Sequence, residues 1–159
     1  MELNNQGYKI ICDFEGLRLK PYLCSAGVPT IGYGNTFYPS GAKVTMRDKL
    51  ITKEYAFEIF KTVANMFAKN VNSLITSKVN QNQFNSLVSF AYNVGTDIDQ
   101  DNIPEGLGDS TLLKKINLNP NNITISNEFA KWNKSLGKVN KGLVTRRKKE
   151  SDIYFSKIV

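Results

Sequence analysis

At 159 residues, with 41% hydrophobic and 11% aromatic residues, the chain has the length and composition of one globular domain rather than of a disordered or fibrous protein. The 21 Lys and Arg against 14 Asp and Glu give a net charge of +7, which draws the surface to anionic polymers without choosing among cell wall, nucleic acid and lipid. There are no histidines and only 2 cysteines, which excludes His-based triads, His-containing zinc sites and a closed four-cysteine zinc site.

The start, Met1 to Gln6, is polar, with neither a basic region nor an apolar run, so the expectation is synthesis in the cytoplasm with no recognisable signal peptide. No segment is long enough to span a membrane. Tyr8, Ile10, Ile11 and Phe14 recur at helical spacing and Gly16 is a C-terminal stop, which predicts a helix ending at Glu15. The helix macrodipole disfavours a carboxylate at that end, a property suited to an acid that protonates a leaving sugar oxygen. A solvated surface glutamate is the plainer alternative.

From Leu17 the pattern changes to alternation. Leu17, Leu19 and Leu23 share one parity and Arg18, Lys20, Tyr22 and Cys24 the other, which predicts a half-buried strand. Ser25-Ala26-Gly27 turns the chain and Val28 to Gly34 returns, making a hairpin. Thr30, Gly32 and Gly34 then lie on one face, with Ile31 and Tyr33 on the other. Glycine inside a strand marks either a bend or bulge, or a place where a ligand comes close.

Thr45 to Asp48, and then Thr52 with Glu54, are helix-start signals before the apolar stripe of Tyr55, Phe57, Ile59, Phe60, Val63, Met66 and Phe67. Asn80 with Gln83 predicts a capping box before Phe84, Leu87, Val88 and Tyr92, and Asn93-Val94-Gly95 closes that helix. Thr96 to Asp109 holds Asp97, Asp99, Asp101, Glu105 and Asp109 among glycine and proline. Its spacing lacks the EF-hand glycine and terminal glutamate, so a solvated loop is expected rather than a calcium site. Ser110 is expected to cap a short helix, Ser126 another carrying Phe129 and Trp132, and Leu143 to Phe155 forms the last. These stripes read as core. Lys131, Lys134, Lys138, Lys141, Arg146, Arg147, Lys148 and Lys149 make a basic stretch beside Trp132, readable as a nucleic-acid patch or as a solvated face drawn to anionic wall polymers.

Phe14 to Leu19, Thr30-Ile31-Gly32-Tyr33-Gly34, Gln83 to Gly95, Ser110-Thr111-Leu112-Leu113, and Gly142-Leu143-Val144 with Arg146-Arg147 and Glu150 resemble, in order, the motifs of phage-type lysozymes, the endolysins of glycoside hydrolase family 24. Glu15, eight residues, Cys24, five residues, Thr30 matches that family's active-site spacing, with Cys where the commoner form has Asp. The resemblance implies an α+β, lysozyme-like fold, mostly helical, in which a small N-terminal β-hairpin lobe at about residues 16–50 and a larger helical lobe flank a cleft. Residues 1–159 would form a single such domain, with the first helix packing on the helical lobe. It implies hydrolysis of the β-1,4 bonds between N-acetylmuramic acid and N-acetylglucosamine in bacterial peptidoglycan, and so wall breakdown and lysis. No metal or cofactor is expected. The polysaccharide is the expected partner of a monomer that acts on the wall after release, without membrane insertion or a nucleic-acid partner. A catalytically inactive peptidoglycan-binding domain and a basic nucleic-acid-binding protein are the alternatives. The acidic stretch is longer than the family's usual link, and Asn35 stands where the family often has His.

The catalytic residues implied are Glu15 as general acid, Thr30 as the group that orients the attacking water, and Cys24, which polarises that water or the developing oxocarbenium charge as thiol or thiolate. Gly32, Tyr33 and Gly34 are the expected substrate-binding residues. A thiol of ordinary pKa, about 8.5, is mostly neutral at pH 7, and Arg18 and Lys20 on its strand face are candidates for lowering that value. A Cys24 nucleophile and a small packing residue are the other readings of that position. Pairing of Cys12 with Cys24 after release is left open by the sequence.

Overall fold

Local sequence chemistry accounts for most of the elements. The computed structural model describes residues 1–99, 101 and 103–157; Gln100 and Asn102 of the acidic stretch, with Ile158 and Val159, lie outside the described residues. The order is α1 (Asn5–Glu15), β1 (Arg18–Leu23), β2 (Pro29–Gly32), α2 (Lys53–Leu74), α3 (Gln81–Val94), α4 (Thr111–Leu118), α5 (Ile125–Ala130), β3 (Lys134–Ser135), β4 (Lys138–Val139) and α6 (Lys141–Tyr154). This is the expected mostly helical α+β architecture, with one small hairpin more than the sequence suggested. Two compact units are present, one formed by Tyr8–Met66 and the other by Met1–Gly7 with Phe67–Val159. No helix among the described residues is long and apolar enough to cross a membrane.

In the unit Tyr8–Met66, α1 stops where Gly16, at φ 67°, donates its N–H to Cys12 O at 2.9 Å, the left-handed stop that the sequence predicts. β1 and β2 pair antiparallel with Arg18 opposite Gly32, Tyr22 opposite Thr30 and Leu23 opposite Pro29. The register shifts between Arg18 and Tyr22, around Pro21, which has no N–H for a ladder. Alternation therefore holds only to Pro21. Tyr22 is half-buried, and Leu23, expected on the buried face, is 56% exposed. Ile31, Val44 and Ile59 form the buried centre, with Tyr38 and Ile51 packed against it. Thr45 to Asp48 does not start a helix. Asp48 accepts hydrogen bonds from Thr45 Oγ1 at 2.6 Å, Thr45 N at 3.0 Å and the Tyr38 hydroxyl at 2.8 Å, which closes a turn instead. Thr52 is the working cap of α2, its Oγ1 accepting the Tyr55 N–H at 3.1 Å.

In the second unit α3 is the central helix, buried at every residue from Asn82 to Ala91. Both halves of the predicted capping box are present: Asn80 Oδ1 accepts from Gln83 N and Gln83 Oε1 from Asn80 N, each at 2.9 Å. Ser110 caps α4 by accepting the Leu113 N–H at 3.0 Å. Ser126 is not a cap; α5 begins one residue earlier, and Ser126 Oγ donates back to Ile123 O at 2.8 Å. Asn140 caps α6 by accepting the Leu143 N–H at 3.1 Å, so the helix begins at Lys141, two residues ahead of the expected start. Phe90 makes edge contacts with Phe129 and Trp132, with ring centroids 5.6 and 5.5 Å apart. The unpredicted β3–β4 hairpin turns through Leu136 and Gly137 at φ 50° and 76°. Leucine at the first of these positions carries no turn signal, which hid the hairpin.

The acidic stretch is tied more tightly than a solvated loop. Asp97, at φ 52°, accepts the N–H groups of Glu105, Gly106 and Asp109 on one carboxylate oxygen at 3.1 to 3.3 Å. Gly108 passes so close that a Cβ there would fall 1.6 Å from Asp97 O. Side-chain oxygens of Asp97, Asp99 and Asp109 gather within 4.8 Å of one another around this knot.

Candidate active site

Three elements carry the residues singled out by spacing. Glu15 is the last residue of α1, Cys24 follows β1 directly, and Thr30 lies on β2. The Ser25-Ala26-Gly27 turn is closed by Cys24 N donating to Val28 O at 3.0 Å and Gly27 N to Cys24 O at 2.8 Å. The N–H groups of Val28 and Ala26, helped by the Thr30 hydroxyl, hold the Cys24 thiol below its ordinary value, against the weaker opposing effect of burial. The cause is thus backbone hydrogen bonding, where sequence had suggested the cations of Arg18 and Lys20. Arg18 is instead stacked on the ring of Tyr22, its guanidinium carbon 5.1 Å from the centroid.

Thr30 is buried, and its hydroxyl donates to Val28 O at 2.9 Å. Tyr22, directly across from Thr30, was on the predicted face but was not singled out. Burial raises its phenol from 10.0, and the nearby charges of Glu15 and Cys24 raise it further, against Arg18. Tyr22 therefore lies in the electrostatic reach of both groups.

Gly32, Tyr33 and Gly34 have different surroundings. Gly32 is buried, and a Cβ on it would meet Asn35 Oδ1 at 3.4 Å and the Ala56 side chain at 3.6 Å, so the close neighbours there are protein. Tyr33 is half-buried and packs its ring on Phe60 at 5.4 Å and Phe57 at 6.5 Å. Gly34, at φ 78°, lies against Glu15: a Cβ there would fall 2.7 Å from Oε2 and 3.2 Å from Cδ. Ile31 and Asn35 exchange backbone hydrogen bonds of 2.9 Å in both directions and close the loop that holds these three residues.

Cys12 and Cys24 are both free thiols. Burial first, then the charges of Asp13 and Glu15, push the Cys12 thiol up to about 12. The two sulfurs thus have opposite character.

A family model described as Phage lysozyme matches residues 12–150. The endolysin of Bacillus phage B103 is 37% identical over 98% of the chain. The chain spans about half, 55%, of that relative's length. The endolysin of Salmonella phage P22 is 31% identical, with 98% of this chain and 99% of that protein covered. Among solved structures, the endolysin from Escherichia coli O157:H7 phage FAHEc1 superposes with a TM-score of 0.83 at 36% identity, over 98% of this chain and 94% of that one.

Proposed function

The chain belongs to the phage lysozyme family, and from that premise we propose that it is an N-acetylmuramidase of endolysin type. It hydrolyses the β-1,4 bond between N-acetylmuramic acid and N-acetylglucosamine in bacterial peptidoglycan, acting as a monomer on the wall after synthesis in the cytoplasm. The observation that carries the reading is the placing of the three residues about one hairpin: Glu15 ends α1 with its carboxyl against Gly34, Cys24 follows β1, and Thr30 lies on β2 opposite Tyr22.

Glu15 is the proton donor to the glycosidic oxygen, and Cys24 with Thr30 prepares the water that attacks the sugar carbon. The Thr30 hydroxyl has one proton and two neighbouring acceptors, the Val28 carbonyl and the Cys24 sulfur. Ionisation of Cys24 draws that proton toward sulfur, while the Thr30 oxygen accepts a hydrogen bond from water. The thiolate, stabilised by the Val28 and Ala26 N–H groups, takes the place that a carboxylate holds in the commoner form of the family. Gly32 and Tyr33 shape the wall of the saccharide site, and Gly34 makes room beside it for the Glu15 carboxyl.

The test is release of reducing sugar ends, with turbidity loss, from purified peptidoglycan by the wild type and by Glu15→Gln. Wild-type release that Glu15→Gln abolishes is the expected result. Release that survives the substitution overturns Glu15 as the acid, and absence of release by the wild type on several wall types favours the inactive wall-binding alternative.

A further inference from the structure

At four left-handed positions glycine is favoured by the backbone alone. Gly16, Gly27, Gly41 and Gly137 all have positive φ, and a Cβ on any of them would meet nothing within 4 Å. Gly34 differs. Its φ is 78°, and the space that a side chain would take is filled by the end of Glu15: Oε2 at 2.7 Å, Cδ at 3.2 Å and Cγ at 3.4 Å.

We propose that Gly34 is a positioning residue for the general acid, its missing side chain being the seat in which the Glu15 carboxyl rests. The inference rests on the reading of Glu15 as proton donor given above. Turning the carboxyl about its own bond would move Oε2 and leave Cδ and Cγ crowded against a new Cβ. The glutamate would have to leave its present rotamer. Gly34 cannot retreat, because the reciprocal 2.9 Å bonds between Ile31 and Asn35 hold its loop closed. Since the crowded atoms end a flexible side chain, the contact is relieved by moving the acid rather than by opening the fold. The loss therefore falls on catalysis, where a misplacement of about 1 Å costs on the order of 100-fold in rate.

The experiment compares Gly34→Ala and Gly34→Asn with Gly41→Ala and Gly41→Asn, reading kcat for reducing-end release, the wall concentration for half-saturation, and Tm. Asparagine tolerates positive φ better than alanine and still carries the Cβ. Gly41, at φ 86°, reports the backbone strain without the contact. The expected result is a kcat lower by about 100-fold in both Gly34 variants, with half-saturation unchanged and Tm lowered no more than in the Gly41 pair, which keep wild-type kcat. Gly34 variants with the kcat of their Gly41 counterparts, or Gly34 variants that fail to fold while the Gly41 pair fold, overturn the proposal. Sugar release by Glu15→Gln would remove the reading of Glu15 itself. Release that needs Glu15 but tolerates a side chain at Gly34 would remove only this inference.

Discussion

Two thiols separated by twelve positions are placed at opposite ends of cysteine chemistry, and each environment is a local backbone matter. The N–H groups of Val28 and Ala26 favour the thiolate of Cys24, whereas Cys12 is half-buried on α1 beside Asp13 and Glu15, which disfavour it. Iodoacetamide at about pH 7 is therefore expected to modify Cys24 and spare Cys12, as read by peptide mass. The same shift gives a sign to the pH dependence. A Cys24 base gains activity as pH rises through its pKa, which lies below 9.0. Cys24→Asp should remain active and move that limb down toward the carboxylate range near about 4. Identical limbs in the two proteins would show that Cys24 is not the base. The Glu15, Cys24 and Thr30 spacing was legible because it is linear in the chain. The donors that hold the thiolate were not, since they are backbone groups of a turn with no distinctive side chains.

Elements were read best where their ends carry side-chain chemistry. Asn80 and Gln83, Ser110 and Gly16 each do what their types promise, because a cap is decided within four residues. Asn80→Ala should lower the stability of unfolding by about 1 kcal/mol, seen as a lower urea midpoint with unchanged slope. A midpoint equal to the wild type would mean that α3 is held by its burial alone. The failures have equally physical causes. The alternation of β1 lapses at the irregularity around Pro21, so Leu23 turns outward. The Asp97 knot gathers N–H groups from eight to twelve residues away, beyond the range of any local signal.

At the scale of the molecule, the charge that reads as one basic stretch divides into two kinds. Lys131, Lys134, Lys138, Lys141, Lys148 and Lys149 are exposed, but Arg146 and Arg147 are inside. Arg146 Nε and Arg147 Nη1 donate to the two oxygens of Glu150 at 3.0 and 2.6 Å, and Ser89 Oγ donates to the same carboxylate at 2.8 Å. Arg147 also bonds Asn93 and lies 4.8 Å over the ring of Phe90, which joins α6 to α3. Burial pushes the Glu150 carboxyl up while the two guanidiniums pull it down. Glu150→Gln would leave two buried guanidiniums short of their anion and should cost about 3 to 5 kcal/mol by urea denaturation. A loss below about 1 kcal/mol, the size of a surface pair, would show that the network carries little of the fold.

The sequence by itself determined the main helices, the caps at Thr52, Asn80 and Ser110 and the order of the acid, thiol and hydroxyl, because periodicity and capping act over one or two turns of chain. Only the tertiary structure decided that Gly34 backs the carboxyl of Glu15, that Arg146 and Arg147 are core residues, and that turn amides rather than lysine and arginine lower the Cys24 pKa. The contacts of Gly34 with Glu15 and of Arg147 with Asn93 and Phe90 join residues far apart in the chain, and the amide contact depends on how a featureless turn closes. Packing and backbone direction set both, and residue type alone carries neither.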